Sequence, residues 1–172
     1  AGMVRTVDVD PANPGRIYIG GEFSGVRESA GGAPLTGTRW LAALQTSGPS
    51  TGLPDATFIP NVPCDTDPVC TNPTRGRRVV ARNGLVYWSF ADGSMSNVGT
   101  EVARGRLVGD AASGYRLENV EVVFQQRPKG GSGNHFGSRL VWGRDGNLFI
   151  TLGDRGRMSE AQNPSNHIGK VL

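Results

Sequence analysis

Three times along the chain, a short alternating apolar run is followed by a Gly/Asn/Asp turn and a second apolar run. The first copy is Val4-Arg-Thr-Val-Asp-Val-Asp10, a turn around Asn13-Pro14-Gly15, and Arg16-Ile-Tyr-Ile-Gly20. The second is Arg78-Val-Val-Ala81, Arg82-Asn83-Gly84 and Leu85-Val-Tyr-Trp-Ser-Phe90, and the third is Ser138-Arg-Leu-Val-Trp142, Arg144-Asp145-Gly146 and Asn147-Leu-Phe-Ile-Thr-Leu152. Asn-Gly and Asp-Gly tolerate the positive φ of tight hairpin turns, so each copy reads as a β-hairpin. The central aromatics Tyr18, Tyr87 and Phe149 recur 69 and 62 residues apart. Between the hairpins, Arg39-Trp-Leu-Ala-Ala-Leu44, Thr100-Glu-Val-Ala-Arg-Gly-Arg-Leu107 and Glu118-Asn-Val-Glu-Val-Val-Phe124 supply further strands. Four antiparallel strands per repeat is the pattern of a β-propeller blade, which buries its faces only against its neighbours. The expected fold is therefore all-β, with about two and a half four-stranded propeller blades; a β-sandwich or an open β-meander is the competing arrangement. Tyr18, Trp88 and Phe149, at matching repeat positions, are expected in the core. The only stretch with tolerable helical propensity, Met158 to Gln162, is too short to stand alone.

Composition agrees: 26 Gly and 11 Pro make up more than a fifth of the 172 residues, which argues against a helical protein. No run approaches the ~18 apolar residues of a membrane-spanning helix. The start, Ala-Gly-Met-Val-Arg, lacks a signal-peptide apolar region, so export would require a leader absent from this sequence. The formal charge is +3, but Lys129 and Lys170 are the only lysines, and many arginines are interleaved with acids. The densest basic run, Arg75, Arg77, Arg78 and Arg82, has no interleaved aromatics, so a nucleic-acid partner is not expected. Cys64 and Cys70 have no paired Cys or His ligands and make a poor zinc site. They read as a small disulfide-closed loop in an oxidising compartment, or as two free loop thiols.

The chain has two histidines. His135 lies in the glycine-dense loop Gly130-Gly-Ser-Gly-Asn-His-Phe-Gly-Ser138, at the start of the third hairpin. A loop histidine is usually a solvated surface residue, but glycines on both sides let a ligand approach the backbone closely. Imidazole titrates near neutrality and so can take a proton from an alcohol. Asp154, in Thr151-Leu-Gly-Asp154-Arg-Gly-Arg157, ends the strand that runs back along this hairpin, which brings it to the end where His135 stands. A carboxylate there would accept the second imidazole N–H and fix the tautomer; alternatively, it forms a local turn with backbone N–H groups. His167 has no comparable setting and reads as structural or as a rim residue. The glycine pairs lack the strand-to-helix context of a phosphate cradle. Asp65, Asp67 and Asp92 are possible calcium contacts, but without the regular acid spacing of an EF-hand.

The segments Gly84-Leu-Val-Tyr-Trp-Ser-Phe-Ala91, Val102-Ala-Arg-Gly-Arg-Leu107, Gly133-Asn-His-Phe-Gly-Ser-Arg-Leu140, Leu148-Phe-Ile-Thr-Leu-Gly-Asp-Arg-Gly156 and Ser165-Asn-His-Ile-Gly-Lys-Val-Leu172 follow one another in order. Over about residues 83–172 this resembles the soluble quinoprotein aldose sugar dehydrogenases of the glucose/sorbosone dehydrogenase family. The resemblance implies a six-bladed propeller that binds pyrroloquinoline quinone and calcium over its central channel. It further implies an aldose substrate oxidised at its anomeric C1 hydroxyl to a lactone, an external electron acceptor, and a periplasmic or secreted location. By the same resemblance His135 is the general base, Asp154 orients it, and Asn134 lies beside the substrate.

Departures from the family pattern shape the remaining expectations. No Gln-Gly-Gly segment precedes Asn83, and Val4 to about Val62 resembles the delta-sixty repeat, another propeller blade type. The family's active-site arginine directly follows the Gly-Lys-Val-Leu segment, and here that segment ends the sequence at Leu172. The expectation is an N-terminal part of such an enzyme, inactive by itself. Residues 1–76 would form a first, delta-sixty-like blade carrying the Cys64/Cys70 loop, and residues 77–172 sugar-dehydrogenase-like blades. Most quinone and calcium contacts would come from remaining blades beyond residue 172. The alternatives are a non-catalytic extracellular β-propeller binding module and a metal-dependent propeller hydrolase.

Overall fold

A computed structural model describes residues 3–9, 16–22, 41–45, 58–59, 78–94, 96–110 and 114–172. The Cys64/Cys70 loop, Asp65 and Asp67 lie outside the described residues. The first hairpin pairs β1 (Met3–Val9) antiparallel with β2 (Arg16–Glu22), and β3 (Leu41–Gln45) joins the far edge of β2. The second hairpin, β5 (Arg78–Arg82) and β6 (Leu85–Ser94), continues through β7 (Asn97–Asp110) and β8 (Gly114–Gln125) as a four-stranded antiparallel sheet. Its first turn is tight because Asn83 and Gly84 both take positive φ, 53° and 73°. A two-residue strand, β4 (Phe58–Ile59), lies parallel to the outer edge of β8. The third hairpin pairs β9 (Gly137–Trp142) with β10 (Leu148–Leu152) and is followed by a single-turn 3-10 helix at Met158–Gln162. Val171 returns to bridge Thr151.

Burial shows why these hairpins stack. β5 and β6 bury residues on both of their faces. Val79, Ala81, Val86, Trp88 and Phe90 pack with Tyr18 of the first sheet. Their neighbours Val80 and Tyr87 face the other way and pack with Leu140, Ile150 and Leu152 of the third. The middle sheet is thus covered by a sheet on each face, and the leading strands β1, β5 and β9 lie successively side by side. Asp8 of β1 accepts a hydrogen bond from the Ala81 N–H of β5 at 2.6 Å. Face-to-face antiparallel sheets with adjoining leading strands are β-propeller blades, so the expected fold class holds.

One expectation needs correction, and one open possibility closes. Tyr18 and Trp88 are buried, but Phe149 is 41% exposed. Phe149 pairs across the hairpin with Val141, and both lie on the face of β9–β10 turned away from the middle sheet, whereas Ile150 and Leu152 face it. Aligning repeats on their aromatics ignored the two-residue period of the strand, which assigns the core to Ile150 and Leu152. Asp92 is not an open calcium contact: its carboxylate is buried and bound to Lys129 Nζ at 2.7 Å.

Candidate active site

The loop between β8 and β9 carries Asn134 and His135, and the segment after β10 carries Asp154. Pairing of Leu152 with Gly137 puts the two segments at the same end of the hairpin. There the Nδ1 of His135 meets Asp154 Oδ1 at 2.7 Å. An ionised carboxylate only accepts, so Nδ1 carries the proton and Nε2 of the neutral ring keeps its lone pair. The same Asp154 oxygen also accepts the Gly156 N–H at 3.1 Å. The local turn and the imidazole contact are therefore both present. The His135 hydrogen bond, seconded by that of Gly156, holds the Asp154 carboxyl below its ordinary pKa. The His135 side chain is 63% exposed and that of Asp154 is 24% exposed, so the pair opens outward with the acid on the inner side.

The loop is anchored from several directions. Thr100 Oγ1 of β7 donates to the Phe136 carbonyl at 2.9 Å, and Ser89 Oγ of β6 donates to the Ser138 carbonyl at 2.8 Å, both within a fully buried polar layer. Gln126, also buried, exchanges two hydrogen bonds with Thr100, each 2.9 Å. Gly153 N–H donates to the Phe136 carbonyl at 3.2 Å.

Gly153 is required by this close approach. A Cβ there would stand 1.8 Å from the His135 carbonyl oxygen and 2.4 Å from its carbon, and neither backbone atom can swing aside. Gly153→Ala is expected to part β9 from β10 at the His135 end and to destabilise the protein by about 1–3 kcal/mol, as overpacking does. A lowered urea midpoint with faster amide exchange at Gly153 checks this; an unchanged midpoint contradicts it.

Asn134 is exposed, and its carbonyl accepts from Arg155 Nη1 at 3.1 Å. His167 stands apart from the pair. Its N–H donates to the Arg127 carbonyl and its Nδ1 accepts the Arg127 N–H, each at 2.9 Å, while its ring lies 5.3 Å from that of Phe124. These contacts fasten the C-terminal segment to the end of β8, which is a structural role.

Sequence reasoning missed two groups near the loop. Arg155 is buried and its guanidinium is directed into the loop carbonyls. Lys129 bridges the buried carboxylates of Asp92 and Glu101. Burial pushes the Glu101 carboxyl up, against the pull of its hydrogen bond to Lys129.

Comparison with known proteins agrees with this architecture. The family model for Glucose / Sorbosone dehydrogenase matches residues 77–172. Aldose sugar dehydrogenase YliI of Escherichia coli is 36% identical over 93 residues, covering 54% of this chain and 24% of the relative. The chain spans about a quarter of the length of the curated relatives it matches. A solved glucose dehydrogenase superposes with a TM-score of 0.70 at 30% identity, covering 98% of this chain and 43% of that one. The PQQ-bound aldose sugar dehydrogenase of Streptomyces coelicolor shares the fold at a TM-score of 0.65 and 17% identity, over 100% of this chain and 44% of that one. By the family match over residues 77–172, this chain belongs to the glucose/sorbosone dehydrogenase family.

Proposed function

We propose that this chain supplies the proton-accepting half of a quinone-dependent aldose sugar dehydrogenase site, which oxidises the anomeric hydroxyl of an aldose to a lactone. The carrying observation is the 2.7 Å contact between His135 Nδ1 and Asp154, which leaves Nε2 as a base on an exposed face. His135 takes the hydroxyl proton while Asp154 stabilises the imidazolium that forms. Asn134, exposed next to His135, offers a polar group to the sugar.

Pyrroloquinoline quinone, when bound, supplies the two-electron acceptor for the hydride that leaves C1, and an external acceptor reoxidises it. The donor set fits this chemistry, because hydride loss from an alcohol needs a base on the oxygen and an exposed imidazole with one committed nitrogen provides one. Family membership and the quinone-bound neighbour of the same fold support the reading. The residues that hold the quinone and its accompanying calcium are assigned to blades beyond residue 172, which complete a six-bladed ring. Among the described residues no three metal-ligating side chains gather, and no helix is long and apolar enough to cross a membrane. In this reading residues 1–76 form the first blade, apart from Phe58–Ile59, which edge the middle sheet, and residues 77–172 the sugar-dehydrogenase-like blades, in a periplasmic or secreted protein.

The test uses the complete protein carrying this chain, with quinone, calcium, an aldose and a dye acceptor. Aldose-dependent dye reduction that collapses in His135→Ala supports the reading. Full activity in that variant removes His135 as the base, and no quinone binding by calorimetry overturns the reading in favour of a binding module.

A further inference from the structure

We propose that Arg155 is the positioning residue of this site: its buried guanidinium clamps the Gly130–Phe136 loop and thereby sets the His135 imidazole against Asp154. The inference rests on the reading of His135 as the base.

Arg155 is 3% exposed. Among the described residues its hydrogen bonds go to main-chain carbonyls and to no carboxylate. Nη1 donates to Asn134 O at 3.1 Å; Nη2 donates to Val98 O at 3.1 Å, to Gly130 O at 3.4 Å and to Ser132 O. The guanidinium carbon lies 3.6 Å from the centre of the Phe136 ring. One side chain thus grips the loop at residues 130, 132, 134 and 136. The planar fork of arginine suits converging carbonyls, which a single ammonium cannot span.

A buried cation without a counter-charge is costly, and burial, reinforced by Arg157, lowers the pKa of Arg155. A neutral residue would fill the space at less cost. What the guanidinium uniquely supplies is several donors aimed at the carbonyls of a glycine-rich loop.

Backbone conformation points the same way. His135, Ser138 and Arg155 all hold positive φ, at 54°, 76° and 55°. Non-glycine residues stay in that region only where the surroundings over-determine them, and such strain gathers at functional sites. Two adjacent residues grip two adjacent residues: Asp154 takes the side chain of His135 and Arg155 takes the carbonyl of Asn134. The peptide between residues 134 and 135 is thereby fixed, and with it the direction in which the imidazole leaves the backbone.

Arg155→Met keeps the length and apolar stem of the side chain but removes the fork. Carbon NMR titration of the Asp154 carboxyl in the unloaded protein is expected to show its midpoint rising toward the ordinary carboxylate value as His135 drifts away. In the complete enzyme kcat is expected to fall about 10–10²-fold, the scale of an ångström-level misplacement, with KM little changed. In a His135→Ala background the same change is expected to cost nothing further. A purely structural role would lower the melting temperature and leave the Asp154 midpoint and the kcat of folded enzyme as they were; that result overturns the proposal, as does an undiminished loss in the His135→Ala background. If Arg155→Met does not fold, Arg155→Lys decides: a smaller shift in the same directions supports the clamp, and wild-type values for both readouts overturn it. Full activity of His135→Ala alone would remove the base assignment, while the Asp154 midpoint still reports on the clamp.

Discussion

Replacing His135 by alanine is expected to lower aldose turnover by about 10²–10⁴-fold, the usual contribution of a positioned general base. In barrier terms this is about 3–5.5 kcal/mol, at ~1.4 kcal/mol per factor of ten. The loss should fall mainly on kcat, because proton removal belongs to the transition state and not to sugar binding. Stability should barely change: the side chain is 63% exposed, and it bonds a carboxylate that also holds the Gly156 N–H. Steady-state kinetics beside a thermal melt separates the two effects. A variant with a native melt and lost turnover agrees with the assignment; one with a native melt and full turnover contradicts it.

The second large effect concerns folding. Lys129→Met is expected to destabilise the protein by about 3–5 kcal/mol, because it leaves buried carboxylates without their cation. Lys129 Nζ lies 2.7 Å from Asp92 and 2.6 Å from Glu101, whose side chains are 5% and 1% exposed. Among the described residues Glu101 keeps only the Gln125 amide, at 3.1 Å. The deficit should depend on pH with a definite sign. Burial already raises the folded pKa of Glu101, so its favourable contribution is present at low pH and is lost as pH rises through that raised value. Acidification should therefore shrink the gap between variant and wild type. Urea unfolding at neutral and mildly acidic pH measures it; a neutral-pH loss below about 1 kcal/mol would show that water reaches these acids as it reaches a surface pair. The damage should also reach the site, since Lys129 leads into Gly130, whose N–H and carbonyl pair with Val98 at 3.1 and 3.0 Å.

What could be read from residues alone follows from the range of the interactions. The three hairpins were legible because their turns carry their own chemistry, as Asn83-Gly84 shows. The meeting of His135 and Asp154 was legible because a hairpin returns its ends to the same place. β4 was not, since Phe58–Ile59 is a two-residue strand held by a parallel partner, Tyr115–Arg116, over fifty residues away. Arg155 was not, because its partners are carbonyl oxygens 21 to 57 residues earlier in the chain, and carbonyls have no sequence signature. In Gly153-Asp154-Arg155-Gly156-Arg157 it looked like one more charge balanced by an acid, whereas it turns inward beneath the loop. Lys129 likewise finds Asp92 37 residues back, a pairing set by the stacking of β6, β7 and β8 side by side. Phe149 shows the opposite failure, where a repeat alignment displaced the simpler rule of strand alternation.

The direct measurement of the central assignment is the tautomer of His135. Nitrogen NMR of the imidazole, taken above its titration range, should show Nδ1 protonated and Nε2 bare, with the Nδ1 proton hydrogen-bonded to a carboxylate. A ring protonated mainly on Nε2 would mean that Asp154 does not hold it, and that no base faces the sugar.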